Sequence, residues 1–144
     1  MTIDAPAVGR ILGGTRTLHR RIRSVGDLRQ AVEAGLPVAA LDTTVRHVAA
    51  GEAEGELRAR IVPKTTLQRR RERVSPEESQ RLERLARMIA LAESVWETRP
   101  LAREFLLSPQ PQLDGERPVD LTRSDLGTRE VEMLLMKLEY ALPA

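Results

Sequence analysis

Between Pro76 and Glu97 the apolar residues Leu82, Leu85, Ile89, Ala92 and Trp96 recur at steps of three and four. That spacing lines one face of an α-helix for about three heptads. Met88 and Val95 stand beside the seam and widen it. Ser75-Pro76-Glu77-Glu78 opens the helix. The Ser75 hydroxyl can accept from the Glu78 amide, the Glu78 carboxylate can accept from the Ser75 amide, and Pro76 takes a first-turn position where its missing N–H costs nothing.

Upstream, the pattern predicts a helix from about Asp27 to Ala34, begun near Ser24 or Asp27 and ended by Gly35. A second helix starts at Pro37 and runs to about Ala49, with Leu41, Val45 and Val48 on its buried face. Gly51–Gly55 reads as a turn, followed by a short helix near Glu56–Arg60, and Pro63 opens a basic helix over Lys64–Arg73. Downstream, a helix over Pro100–Leu107 stops at Ser108-Pro109. Pro109, Pro111, Gly115 and Pro118 make residues 108–126 an ordered, turn-rich loop. The last helix, Thr128–Leu142, carries Val131, Leu134, Leu135, Leu138 and Leu142 on its main face, with Met133, Met136 and Tyr140 off it.

Near the start, Pro6, Gly9, Gly13 and Gly14 break every period, so residues 1–22 are expected to be a flexible basic segment. No strand pattern and no internal repeat emerges. The expected fold is all-α in two lobes joined near Arg73–Pro76, with residues 23–74 forming the first and 75–144 the second.

Composition narrows the function classes. Aromatics make up 2% of the 144 residues, too few for a base-stacking single-strand binder or an aromatic-cored sandwich. Cysteine is absent, which removes disulfides, thiolate catalysis and Cys-ligated zinc. No apolar run approaches the roughly 18 residues of a membrane span. The N-terminus lacks the charged-then-apolar order of a signal peptide. A cytoplasmic protein with no membrane association is expected.

The net charge of +2 is unevenly spread. Residues 1–74 hold 14 Lys/Arg against 8 Asp/Glu, while residues 75–144 hold 9 against 13. A basic half suits an anionic partner; solvated charges segregated by chance give the same pattern.

Catalytic chemistry finds little support. The two histidines, His19 and His47, lie in the basic segment and beside an apolar helix face. No His/Asp/Glu group has metal-ligand spacing, no serine has a partnered histidine, and Gly13-Gly14 lacks the other glycines of a phosphate loop. The chain is expected to be no enzyme and to hold no metal or cofactor. The run Lys64, Thr65, Thr66, Leu67, Gln68, Arg69, Arg70, Arg71 and Arg73 says more. A helix with small hydroxylated residues in its first turn, one apolar anchor at Leu67, and Arg and Gln facing outward fits a DNA groove. A solvated basic helix fits as well. Met133, Met136 and Tyr140 widen the last helix beyond one core contact, which suits either a partner surface or a wide internal stripe.

From Val62 to Tyr140 the chain resembles antitoxins of the Xre/MbcA/ParS type, partners of RES-domain toxins. The resemblance is carried by Thr66-Leu67-Gln68-Arg69-Arg70, by Ser75-Pro76-Glu77-Glu78-Ser79-Gln80-Arg81-Leu82-Glu83-Arg84-Leu85-Ala86-Arg87, by Ala102-Arg103-Glu104-Phe105-Leu106, and by Pro109. It continues through Leu113-Asp114-Gly115-Glu116-Arg117-Pro118-Val119-Asp120-Leu121, Gly127, and Val131 to Glu139. Residues 27–61 resemble the Xre-type helix-turn-helix lobe more weakly.

The resemblance implies an N-terminal lobe that binds operator DNA and represses its own operon, and a C-terminal domain that sequesters an NAD-consuming toxin. Lys64, Thr65, Thr66, Gln68, Arg69, Arg70, Arg71 and Arg73 would face DNA. Asp114, Glu116, Asp120, Met133, Met136, Lys137 and Tyr140 would face the toxin, with the last helix lying over its active-site cleft. A homodimer, or a larger toxin–antitoxin hetero-oligomer, is expected. Phe105 stands where the family usually has Trp, consistent with aromatic packing; Thr122 departs from a leucine-rich run, a change expected to bear on toxin choice. The competing readings are a plain helix-turn-helix regulator whose C-terminal half only dimerises, and a helical adaptor with neither toxin nor DNA.

Overall fold

The apolar seam of residues 76–96 becomes the axis of the molecule. In the computed structural model, which describes residues 3–69 and 72–141, nine α-helices follow one another among the described residues. They are α1 (Ala5–Ile11), α2 (Gly14–Leu18), α3 (Val25–Ala34), α4 (Val38–Val48), α5 (Glu52–Ile61), α6 (Lys64–Leu67), α7 (Pro76–Trp96), α8 (Arg99–Leu107) and α9 (Asp125–Ala141). Two 3-10 turns, Pro111–Leu113 and Pro118–Arg123, lie between α8 and α9.

α7 begins as its sequence dictates. The Ser75 hydroxyl accepts from the Glu78 amide at 3.1 Å, and the Glu78 carboxylate accepts from the Ser75 amide at 2.7 Å. Because α1, α3, α4, α5, α8 and α9 all pack against α7, more than a single stripe is buried. Met88 is as inaccessible as Leu82, Leu85 and Ile89, whereas Trp96 is half-buried and meets the Phe105 ring in a tilted arrangement at a centroid distance of 5.8 Å.

The expected joint at Arg73–Pro76 does not separate two cores. One hydrophobic cluster runs from Val8 to Leu135 through α7. At the joint, residues 36–38 pair with 72–74 in an isolated antiparallel bridge: the Val38 amide donates to the Glu72 carbonyl at 2.8 Å and the Val74 amide to the Leu36 carbonyl at 2.9 Å. The buried Ser79 hydroxyl accepts from the Leu36 amide at 2.7 Å, tying the first turn of α7 to the same segment.

Three further expectations are corrected. Residues 5–18 form α1 and α2 rather than a flexible segment. Val8, Ile11 and Leu12 fall at helical spacing, Asp4 caps α1 by accepting from the Ala7 amide, and burial outweighs the poor propensity around Pro6 and Gly9. The turn expected at Gly51–Gly55 is already helix, because α5 starts at Glu52. Two acids in the first turn suit the helix dipole, and Gly55 costs only about 1 kcal/mol inside a helix.

α9 starts at Asp125, three residues earlier than expected. The Ser124 hydroxyl accepts from the Gly127 amide at 2.9 Å, while the Thr128 hydroxyl donates to the Ser124 carbonyl at 2.9 Å. Gly127 is required by a close approach: a Cβ there would lie 2.4 Å from the Leu121 carbonyl oxygen. The expected C-terminal residue of this helix, Leu142, lies outside the described residues. Among the described residues no helix is long and apolar enough to cross a membrane.

Candidate functional site

The outward face of α9 is built by subtraction. Val131 and Leu135 are inaccessible in the core, and Leu134 and Leu138 pack against it half-buried. At 3.6 residues per turn this leaves positions 126, 129, 130, 133, 136, 137 and 140 on the opposite side. Met133 is 55% exposed and Tyr140 87% exposed, with Lys137 exposed between them and Met136 half-buried. The fold therefore brings these four sequence-predicted residues onto one helix face.

Leu126, 71% exposed, completes the line at the N-terminal end of α9, and sequence reading missed it. The signal was present: Leu126, Met133 and Tyr140 recur every seven residues. Arg87 reaches Glu132 at 3.1 Å and Glu83 at 3.5 Å, holding α9 against α7. Burial pushes the Glu83 carboxyl above its ordinary range and Glu132 adds repulsion, partly offset by Arg87.

The three acidic residues of the preceding loop differ. Asp114 is exposed with a left-handed backbone, and Glu116 pairs with Arg123 at 3.0 Å. Asp120, expected to face a toxin, has its side chain turned inward in the free chain. It accepts from Arg117 at 2.9 and 3.0 Å and from Arg60 of α5. Burial works to raise its carboxyl, but the two guanidiniums outweigh burial and hold it below the usual range.

A carboxyl lowered in this way contributes stability above its unfolded pKa, and the contribution is lost as pH falls through the folded value. Asp120→Asn is expected to lower stability at pH 7 by about 1–2 kcal/mol. The gap to the parent protein should close below pH ~4, readable from thermal melts across pH. Thr122 is also buried, with its hydroxyl donating to the Val119 carbonyl at 2.7 Å. Its side chain is thus occupied within the 118–123 turn, and any effect on a partner is indirect.

On the basic side, α4 and α5 run antiparallel and are zipped by charge. Arg58 contacts Asp42 at 3.0 Å and Glu54 at 2.7 Å, and Arg46 contacts Glu54 at 3.0 Å. Hydrogen bonds from Arg58, then from Arg46, lower the Glu54 carboxyl. Two residues, Val62 and Pro63, turn the chain from α5 into α6, a helix-turn-helix connection. Leu67 packs against the core as the expected anchor, while Lys64, Thr65, Gln68 and Arg69 are exposed and Thr66 is half-buried.

The basic helix expected over Lys64–Arg73 is one turn long. Residues 72–74, expected to continue it, pair instead with 36–38. Arg73 donates to the Gly35 carbonyl at 2.7 Å, so it buttresses this joint. Arg70 and Arg71 lie outside the described residues. His47, half-buried on α4, pairs with Glu93 of α7 at 2.6 Å. Its carbonyl accepts from Arg103 at 3.0 Å, tying α4 to α8 as well.

This geometry defines a class: an all-α protein with a helix-turn-helix in its N-terminal part and a C-terminal helix presenting an unpartnered apolar line. Comparisons with known proteins specify it. The antitoxin Xre-like helix-turn-helix domain matches residues 27–87, and the antitoxin Xre/MbcA/ParS C-terminal toxin-binding domain matches residues 91–141. The chain belongs to the Xre/MbcA/ParS-type antitoxin family. Antitoxin Xre of Pseudomonas putida is 34% identical over 84 residues, covering 56% of this chain and 53% of that protein. The chain thus spans about half the length of the curated relative it matches. The junction between the two matched domains falls inside α7, the helix shared by both halves of the core.

Proposed function

We propose that this protein is the antitoxin of a toxin–antitoxin pair, a plug for a RES-domain toxin that consumes NAD, and a repressor of its own operon. The observation that carries the reading is the exposed line Leu126–Met133–Tyr140 on α9, within the segment matching a toxin-binding domain. Such a line has no core to join in the monomer, and flexible methionines beside an aromatic suit a concave partner. Neutralisation is steric: α9 lies across the toxin's cleft and excludes its substrate, while this chain performs no reaction. Asp114 and Glu116 sit at the rim, where ion pairs contribute little individually. Co-expression with the product of the adjacent gene is the test: a RES-domain protein there should co-purify with this chain and lose its toxicity. Retained toxicity, with no complex formed, overturns the reading.

DNA binding is assigned to α5–α6, with Lys64, Thr65, Gln68 and Arg69 outward. Phosphate contacts make affinity salt-dependent, each lowering the slope of log K against log salt by about 0.9. Lys64→Ala with Arg69→Ala is expected to flatten that slope by about 2 on the upstream promoter while leaving toxin binding unchanged. Loss of toxin binding with DNA affinity kept reverses the assignment of the two halves.

A further inference from the structure

Arginines in this protein are mostly engaged. Nine of them, from Arg29 to Arg129, lie within ion-pair distance of a carboxylate. Arg73, Arg84, Arg99 and Arg103 donate to backbone carbonyls. The basic cluster near the N-terminus is different. Arg10, Arg20, Arg21 and Arg23 are all exposed and line one open groove of about 400 Å³ between α1, α2 and the run leading into α3. Among the described residues none of the four has an ion-pair partner.

The acids nearest in the chain bond to backbone amides, and Asp27 also feels the charge of Arg23. Asp4 accepts from the Ala7 amide at 3.1 Å, and Asp27 accepts from the amides of Arg23 at 2.9 Å and Ser24 at 3.2 Å. No carboxylate lines the groove.

The backbone constructs this surface. A Cβ on Gly9 would lie 2.9 Å from the Ile22 Cβ, so only glycine lets the Arg20–Arg23 run cross α1 so closely. Ile22 packs against the core, and the non-helical run leaves its neighbours Arg21 and Arg23 exposed. Like charges gathered on one wall repel one another until an anion fills the space between them. The groove is open, and no aromatic side chain lines it to stack a base. A line of phosphates fits this better than a single nucleotide.

We infer that the α1–α2 groove is a second contact for the phosphate backbone of duplex DNA, additional to α6 and independent of base sequence. The inference rests on the DNA-binding reading above, and the test separates the two. The full-length protein and its Arg20→Ala, Arg21→Ala variant are titrated with the upstream promoter and with an unrelated duplex of equal length, across a series of salt concentrations.

The variant is expected to lose about 10- to 50-fold in affinity at 0.1 M salt on both duplexes, with the slope flattened by about 2. An Arg20→Lys, Arg21→Lys variant should recover most of the slope, which a folding defect would not. Parent protein that binds DNA, with a variant of unchanged slope, overturns the groove and leaves α6 standing. Failure of the parent to bind either duplex overturns both. AMP is the probe for the other phosphate source: submillimolar binding, abolished by the alanine variant and undisturbed by saturating duplex, reassigns the groove to a free nucleotide and overturns the inference.

Discussion

Replacing Met133 and Tyr140 together with alanine is expected to weaken binding to the toxin by about 100-fold or more, with little change in the melting temperature. Both side chains are mostly exposed, so truncation removes no core contact. A Tyr and a Met at the centre of a protein interface each contribute on the order of 1–2 kcal/mol when desolvated, which multiplies to that fold-change. Met136 is left in place because it is half-buried and its loss would mix stability with binding. Affinity is read by titration with purified toxin and stability by thermal melting. Undiminished affinity would remove the outward face of α9 from the interface and leave the exposed line for another partner, a second copy of this chain among them.

Gly127→Ala carries the other large effect, and it acts on the fold. The added Cβ meets a backbone carbonyl oxygen at 2.4 Å, an atom that cannot rotate away like the end of a flexible side chain. The N-terminal turn of α9 must then move off the 118–123 turn, disturbing the buried Thr128 and the hydrogen bonds to Ser124. Overpacking of this kind costs about 2–3 kcal/mol, or roughly 5–10 °C in Tm for a chain of this size. Toxin binding should fall in parallel with stability and recover on cooling, because the residues proposed to meet the toxin are untouched. That recovery separates it from the Met133/Tyr140 pair, whose loss of affinity persists at every temperature.

The two substitutions locate what α9 depends on. Its inner face is held through Val131, Leu135 and the Arg87–Glu132 pair, and its entry angle through Gly127. The exposed residues of the outer face, Leu126, Met133 and Tyr140, are then presented at a set position. The same division holds on the basic side. There the Asp42–Arg58–Glu54–Arg46 chain and Leu67 position α6 so that Lys64, Gln68 and Arg69 remain outward.

Much of this was legible in the residues, because the interactions concerned span no more than about one helical turn. The capping box of α7, the Gly35 stop of α3, the inner and outer faces of α9, and the Leu67 anchor each follow from neighbours three or four positions apart. The grouping of Met133, Met136, Lys137 and Tyr140 follows from the same period. Leu126 obeys the same rule, but a helix beginning at Thr128 leaves it out, and α9 begins three residues earlier.

Tertiary structure alone decided the rest. Asp120 turns inward because Arg60, sixty positions away, sits where α5 crosses the 118–123 turn. Residues 72–74 leave the expected basic helix because they find a partner at 36–38. Residues 5–18 become helical because α7 offers apolar surface to Val8, Ile11 and Leu12. In each case local preference was weak or pointed elsewhere, and a contact distant in sequence outweighed it. Such contacts obey no short period, so a chain read in order carries the faces of its helices but not which of its charges will find each other.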